Sequence, residues 1–157
     1  TWPVNGGSAA EVWIVFAITS LPPSGQAHLF SINQNSTTNA LQIRWLSSDL
    51  QIAYRTASGL SSFPTTPPPL NAYRLVRLRK DAATVTGYLA GTQFGQATDA
   101  RTDVLTGGVA TPLVIGGREG LTNMMNGKVA FAWAGNQLLS TQEAIDLRAY
   151  VQTKYGV

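Results

Sequence analysis

Apolar and polar residues alternate strictly in segments 41–45 and 50–55, and the polar residues 47–49 lie between them. Such alternation over about four to eight residues is typical of a β-strand with one buried face, and two such segments around a short turn predict a hairpin. The positions predicted to face the core are Leu41, Ile43, Trp45, Ile52 and Tyr54, and those predicted to face away are Gln42, Arg44, Gln51 and Arg55.

Residues 12–18 are apolar at both alternating sets of positions, which predicts a strand that is covered on both faces. Segment 58–70 is rich in proline, and segment 91–108 is polar and punctuated by glycine, so both are predicted to be irregular connections. The remaining predicted strands are 28–33, 73–79, 84–90, 112–117 and 127–134.

One amphipathic helix is predicted at the end of the sequence. Ser140 and Glu143 have the spacing of a capping box, and Gly156 suits a left-handed C-cap. The apolar stripe that should face the rest of the molecule consists of Ala144, Leu147, Val151 and Tyr155.

Eight short strands separated by turn signals indicate a sandwich or a barrel. We expect residues 1–157 to form one domain, either alone or within a longer polypeptide, because a chain of 157 residues can bury a sizeable core. Two antiparallel sheets would enclose that core, and the helix is predicted to cover one edge of the sandwich.

A resemblance to a known family is carried by segments 11–17, 29–32, 73–78 with 84–91, 113–117, and 127–133 with 139–143. Taken in this order, they resemble the concanavalin A-like, laminin G-like jelly rolls of bacterial and phage proteins. The resemblance implies an all-β fold: a two-sheet antiparallel jelly-roll sandwich with one short C-terminal helix. This family often begins with an additional early strand, and only ten residues precede Glu11 here.

The composition narrows the range of functions. The chain has no cysteine, so neither a disulfide nor a thiolate nucleophile is available. A net charge of +3 is too small to indicate nucleic-acid binding, and no apolar run is long enough for membrane insertion. Much of the polarity comes from uncharged residues, which suits the surface of a virion or a cell envelope.

Catalytic chemistry is not indicated. Glycosidases use a pair of carboxylates, and within the predicted strands no two acidic residues are spaced two or four positions apart. Glu143 and Asp146 are assigned to the helix cap and its solvated face, and His28 is predicted to lie on the surface at the start of a strand. We therefore expect no enzyme activity.

The sequence requires no cofactor. Calcium is the one metal for which it offers ligands, because calcium binds clustered carboxylate and carbonyl oxygens. Asp99, Asp103 and Asn123 are the weak candidates, and they would have to converge at one end of the sandwich.

A ligand-binding surface is predicted on the outward row of Gln42, Arg44, Gln51 and Arg55, joined by Arg77 or Arg79. Amide and guanidinium groups hydrogen-bond the hydroxyls, carboxylates or phosphates of a glycan. The alternatives are ordinary solvated surface or a contact with a neighbouring subunit. Phe63, between Ser62 and Pro64, is the predicted aromatic anchor on a loop.

These observations predict a non-catalytic module with lectin-like recognition of surface carbohydrate, located on a virion or at a cell surface. The alternative is a structural decoration or fibre domain of a phage particle that makes only protein–protein contacts; a polysaccharide-active enzyme is a third alternative. The expected partners are a surface glycan, neighbouring virion or surface proteins, or further copies of the chain.

Overall fold

The computed structural model describes residues 9–20, 25–32, 41–47, 49–56, 59–66, 69–81, 84–98, 113–117, 124–135 and 137–157. They form two antiparallel five-stranded sheets and one C-terminal helix, which confirms the predicted all-β sandwich. The elements are β1 (Ala9–Ser20), β2 (Gln26–Ile32), β3 (Leu41–Leu46), β4 (Leu50–Thr56), β5 (Gly59–Thr65), β6 (Arg74–Asp81), β7 (Thr84–Leu89), β8 (Thr92–Thr98), β9 (Leu113–Ile115), β10 (Asn126–Gly135) and α1 (Thr141–Tyr155).

Sheet I has the strand order β10-β1-β6-β7-β8, and sheet II has the order β5-β4-β3-β2-β9. The main core lies between them, where Phe16 of sheet I meets Trp45 of sheet II edge to face at 6.1 Å. Each predicted strand overlaps an observed one. The buried residues of this core are Val12, Ile14, Phe16, Ile18, Ala27, Leu29, Phe30, Ile43, Trp45, Leu50, Ile52, Val76, Leu78 and Val85.

β1 is covered on both faces, as its continuous apolar pattern predicts. Its even-numbered residues from Val12 to Ile18 face sheet II, whereas Trp13 and Val15 face the opposite way. Those two side chains form a second cluster with Leu75 and Val151, and Val151 belongs to α1. The helix therefore lies on the outer face of sheet I, and the predicted position at an edge of the sandwich is wrong.

The helix termini follow the sequence signals. The Ser140 side chain accepts a hydrogen bond from the backbone N–H of Glu143, and the Glu143 carboxylate accepts one from the backbone N–H of Ser140. Gly156 ends the helix in the left-handed conformation with φ 70°. Among the residues that the structure describes, no helix has the length and apolar character needed to cross a lipid bilayer.

Two strands were not expected from the sequence. β5 lies within the proline-rich segment, and β8 lies within the segment predicted to be a long polar loop. Each forms one edge of its sheet, where Pro64 is tolerated because an edge strand leaves one side of its backbone unpaired. Polar edge strands lack the alternation that predicts an inner strand, so the pattern missed both.

Candidate functional site

Two rows of paired polar residues, which we call polar rungs, run across the strands on the outer face of sheet II. In the first, His28 on β2 lies opposite Arg44 on β3, which lies opposite Gln51 on β4. In the second, Ser31 pairs with Gln42 in the same strand order. A bulge between His28 and Phe30 keeps His28 and Ser31 on this outer face although three positions separate them. Gln42, Arg44 and Gln51 therefore lie on the same outer face of sheet II, as their alternation predicts.

Arg44 is held in place by its neighbour on β4. Its Nε and Nη2 groups both donate to the Oε1 atom of Gln51, at 3.1 and 2.9 Å. The guanidinium is half-buried, and burial lowers the pKa of Arg44 below its ordinary value because a charged group is less stable away from water. Even a lowered arginine pKa leaves the group protonated at neutral pH.

The two glutamines of the row are much less accessible than Arg44. Gln42 is 3% exposed and Gln51 is 8% exposed, so neither offers a ligand much surface. Gln51 orients Arg44, whereas Gln42 fills the second polar rung opposite Ser31. Among the described members of the predicted row, Arg44 is therefore the accessible one, and its glutamine neighbours are buried.

The charge of Arg44 is not balanced by a carboxylate in the part of the chain that the structure describes. Its hydrogen-bond acceptor there is a neutral amide, and the two described ion pairs, Arg77 with Glu11 and Arg79 with Asp81, involve other arginines. None of the strands of sheet II contains an aspartate or a glutamate. Among the described residues of the outer face of sheet II, Arg44 is thus a half-buried cation beside buried polar side chains.

His28 is the residue of this face that sequence reasoning missed. It was predicted to lie on the surface, but it is only 1% exposed, and its Nε2 atom lies 3.0 Å from the Nε2 atom of Gln26. The signal that could have found it is its position between Ala27 and Leu29, which both enter the core. A polar residue between two core residues lies on the outer face of the strand.

Arg77 and Arg79 do not belong to this row. They lie on β6 in sheet I, on the face that carries Trp13 and α1, so the sandwich core separates them from Arg44. The prediction that grouped them with Arg44 is wrong. Alternation assigns a residue to one face of its own strand, but it carries no information on which sheet the strand joins.

Phe63 is not a loop anchor. It lies on β5 opposite Ile52 and packs against the main core, with its ring 5.8 Å from that of Phe94 on β8. A Cβ atom at Gly95 would collide with the Phe63 ring, and one at Gly87 would come within 2.8 Å of it. These two glycines of sheet I make room for Phe63 between the sheets.

The remaining predicted site residues cannot be placed. Arg55 pairs with Leu60 across β4 and β5, but its side chain lies outside the described part of the structure. The calcium candidates Asp99, Asp103 and Asn123 also lie outside the described residues. Within the described ranges, no group of three or more histidine, aspartate or glutamate residues could hold a metal ion.

A second polar site lies on the opposite side of the molecule, between α1 and sheet I. A cavity of about 220 Å³ there is lined by Arg77 and Arg79 of β6 and by Arg148 of α1, and we call it the arginine pocket. Aromatic and apolar side chains complete its walls, including Trp13, Tyr88, Leu139 and Ile145.

No family model and no curated protein sequence matches the chain. Its structure is similar to the CBM40 module of Ruminococcus gnavus IT-sialidase bound to α2,3-sialyllactose, with a TM-score of 0.72 and 13% identity over 90% of this chain and 83% of that chain. A leech intramolecular trans-sialidase with bound 2,7-anhydro-Neu5Ac gives 0.69 and 16% over 88% of this chain and 23% of that one.

Domains LG4-5 of the mouse laminin α1 chain are also similar, with a TM-score of 0.57 and 11% identity over 89% of this chain and 39% of that chain. At such low identities the likeness concerns the fold. The chain has the jelly-roll sandwich that these carbohydrate-binding modules and laminin G domains share.

Proposed function

We propose that this protein is a non-catalytic module that binds acidic carbohydrate on the outer face of sheet II, with Arg44 as the anchoring residue. The observation that carries the proposal is the half-buried Arg44 guanidinium, which has a neutral amide acceptor and no described carboxylate partner. A partly desolvated cation without a protein counter-ion attracts an anionic group from a ligand, because the ligand replaces the water that burial removed.

The chemistry of Arg44 suits a sugar carboxylate. A guanidinium donates two parallel hydrogen bonds to a carboxylate, and charge-assisted bonds of this kind are roughly twice as strong as neutral ones. Gln51 holds the side chain before the ligand arrives, so little side-chain entropy is lost on binding. The polar residues beside Arg44 are buried, so the guanidinium itself is the group that a sugar would contact.

The structural neighbours support a carbohydrate as the ligand. The Ruminococcus gnavus module is described as bound to sialyllactose, whose sialic acid carries a carboxylate. This correspondence is between folds, and the assignment of Arg44 rests on its own environment. A location on a cell surface or a virion belongs to the same proposal, because such a module needs access to surface glycans.

The residue types on the strands of sheet II favour a binding role over catalysis. Hydrolysis of a glycosidic bond generally requires two carboxyl groups on either side of the bond. The strands of sheet II supply neither an aspartate nor a glutamate, and they supply one histidine, the buried His28.

The proposal is tested by calorimetric titration with 3′-sialyllactose and with lactose, which lacks the carboxylate. We expect binding of sialyllactose alone, and a loss of at least about tenfold in affinity for Arg44→Gln, because a hydrogen bond to a charged group contributes about 1.5–3 kcal/mol. Arg44→Lys retains the charge but not the planar fork, so its affinity should be intermediate.

Lys128→Gln is the matched control, because Lys128 is an exposed cation on β10 in the other sheet. It removes the same charge and should leave the affinity unchanged. Equal affinity for sialyllactose in the wild type and in folded Arg44→Gln would contradict the proposal. A null result across acidic and neutral glycans would favour the structural decoration role instead.

A further inference from the structure

The arginine pocket carries a concentration of positive charge that the proposed function does not use. Among the described residues that line it, three are arginines and none is an aspartate or a glutamate. Its position on the outer face of sheet I places it on the opposite side of the sandwich from Arg44. A ligand bound here would therefore not contact a ligand bound at Arg44.

Neighbouring acidic groups neutralise this charge only in part. Glu11 is fully buried and pairs with Arg77 at 2.7 Å, so that cation is compensated from beneath the pocket. Asp81 pairs with Arg79 at 3.2 Å, but both side chains are substantially exposed, and exposed pairs are weak. Arg148 donates to the neutral backbone carbonyl of Ala90 at 3.2 Å, and neither of the ion pairs among the described residues includes it.

The start of α1 adds to this potential. Leu139 and Thr141, which flank the N-cap residue, both line the pocket. The backbone N–H groups of the first helical turn carry partial positive charge, and this charge is favourable for an anion nearby. The helix N-terminus and the three side chains thus both favour an anion, and the Glu143 carboxylate at the cap offsets part of this charge.

The walls hold two of the arginines, Arg77 and Arg148, in position. The Arg77 guanidinium lies between the rings of Trp13 and Tyr88, 4.7 and 4.9 Å from their centroids. Arg148 packs against Gly91, where even a Cβ atom would overlap its guanidinium. Cations that are already positioned lose little conformational entropy when a ligand binds.

We propose that the arginine pocket binds a small ligand that carries a carboxylate, phosphate or sulfate group. The volume of about 220 Å³ is smaller than the roughly 300–1,000 Å³ of pockets for drug-sized molecules. The ligand is therefore an inorganic oxyanion or a single acidic sugar ring. Trp13 and Tyr88 provide apolar surface for the body of such a ring.

The experiment is an NMR titration of the whole chain with inorganic phosphate, with sulfate, with glucuronate and, as the uncharged comparison, with glucose. We expect saturable shifts of the Arg77 and Arg148 side-chain signals and of the Trp13 indole signal with one or more of the anions, and none with glucose. Binding of phosphate or sulfate but not of glucuronate would identify a free oxyanion as the ligand. Tighter binding of glucuronate than of phosphate or sulfate would identify an acidic sugar.

Two variants at one exposed position test the charge of the site without removing an arginine. Ile145 is 54% exposed on α1 and lines the pocket, so its replacement should not disturb folding. Ile145→Glu places an anion at the mouth and should weaken anion binding at least about tenfold, because juxtaposed like charges cost several kcal/mol. Ile145→Lys should bind as tightly as the wild type or more tightly.

Equal affinities in the two Ile145 variants would overturn the proposal, and so would the absence of saturable shifts at the pocket in the wild type. Arg44→Gln separates this site from the proposed function. This variant should leave anion binding at the arginine pocket intact while it weakens sialyllactose binding. A failure of the pocket proposal can therefore be distinguished from a failure of the proposed function.

Discussion

Glu11 is a fully buried carboxylate on which three donors converge. Its Oε1 atom accepts from Trp13 Nε1 at 2.6 Å and from Arg77 Nε at 2.7 Å, and its Oε2 atom accepts from the backbone N–H of Leu139 at 3.0 Å. These bonds tie β1 to β6 and to the segment that leads into α1. Burial of the charge is tolerated because its partners surround it.

We predict that Glu11→Gln destabilises the protein by about 3–5 kcal/mol, because it leaves the poorly exposed Arg77 cation without its counter-ion. The measurement is urea denaturation followed by circular dichroism. Asp81→Asn breaks the exposed pair with Arg79 and should change stability by less than about 1 kcal/mol. Similar losses of stability in the two variants would contradict the larger contribution that we assign to the buried pair of Glu11 and Arg77.

At the same scale, alternation in the sequence predicted correctly that Gln42, Arg44 and Gln51 share one outer face. It could not predict that two of them are buried, because the burial of a polar residue depends on what covers the sheet. Phe63 shows the converse: a proline beside it indicated a loop, whereas pairing with Ile52 carries it into the core.

At the scale of elements, the hairpin between β7 and β8 turns through two residues with positive φ. Ala90 has φ 50° and Gly91 has φ 82°, which is the geometry of a type I′ turn. Glycine adopts such angles freely, but alanine does not. Asn-Gly is the preferred pair for this turn, so Ala90 is a strained choice; the sequence pattern had assigned it to the end of strand 84–90, whereas β7 ends at Leu89.

We predict that Ala90→Asn stabilises the protein by on the order of 1 kcal/mol, because asparagine tolerates the left-handed conformation better than alanine. The denaturation midpoint in urea should rise. Ala132→Asn, an exposed change on β10, should bring no gain, since asparagine is depleted in strands. An unchanged denaturation midpoint for Ala90→Asn would contradict the inference that the backbone is strained at Ala90.

The cap of α1 gives the fold a dependence on acid pH. Hydrogen bonds from the side chain and the backbone of Ser140 hold the pKa of the exposed Glu143 carboxyl below its ordinary value. A lowered pKa in the folded state means that the contribution is complete above the pKa of the unfolded chain and disappears as the pH falls through the folded pKa.

We therefore predict that the melting temperature of the wild type exceeds that of Glu143→Gln at neutral pH, and that the difference shrinks as the pH falls through the acid range. Glutamine can still accept from Ser140 but does not titrate, so the comparison isolates the charge. A difference that is constant with pH would contradict this account of the cap.

At the scale of the whole molecule, the sandwich has two outer faces, each with its own arrangement of positive charge. Hydrophobic periodicity predicted the class of fold and eight of the strands, because inner strands must alternate or be apolar throughout. It missed β5 and β8 at the sheet edges, and it assigned Arg77 to the wrong face. Strand partners are set by contacts between residues far apart in the chain, which local patterns do not contain.

The most direct test of the central claim is a crystal structure of the protein with 3′-sialyllactose. The account predicts that the sialic acid carboxylate lies on the outer face of sheet II, within hydrogen-bonding distance of the Arg44 guanidinium. A sugar bound elsewhere, with Arg44 still bonded to Gln51 alone, would contradict it.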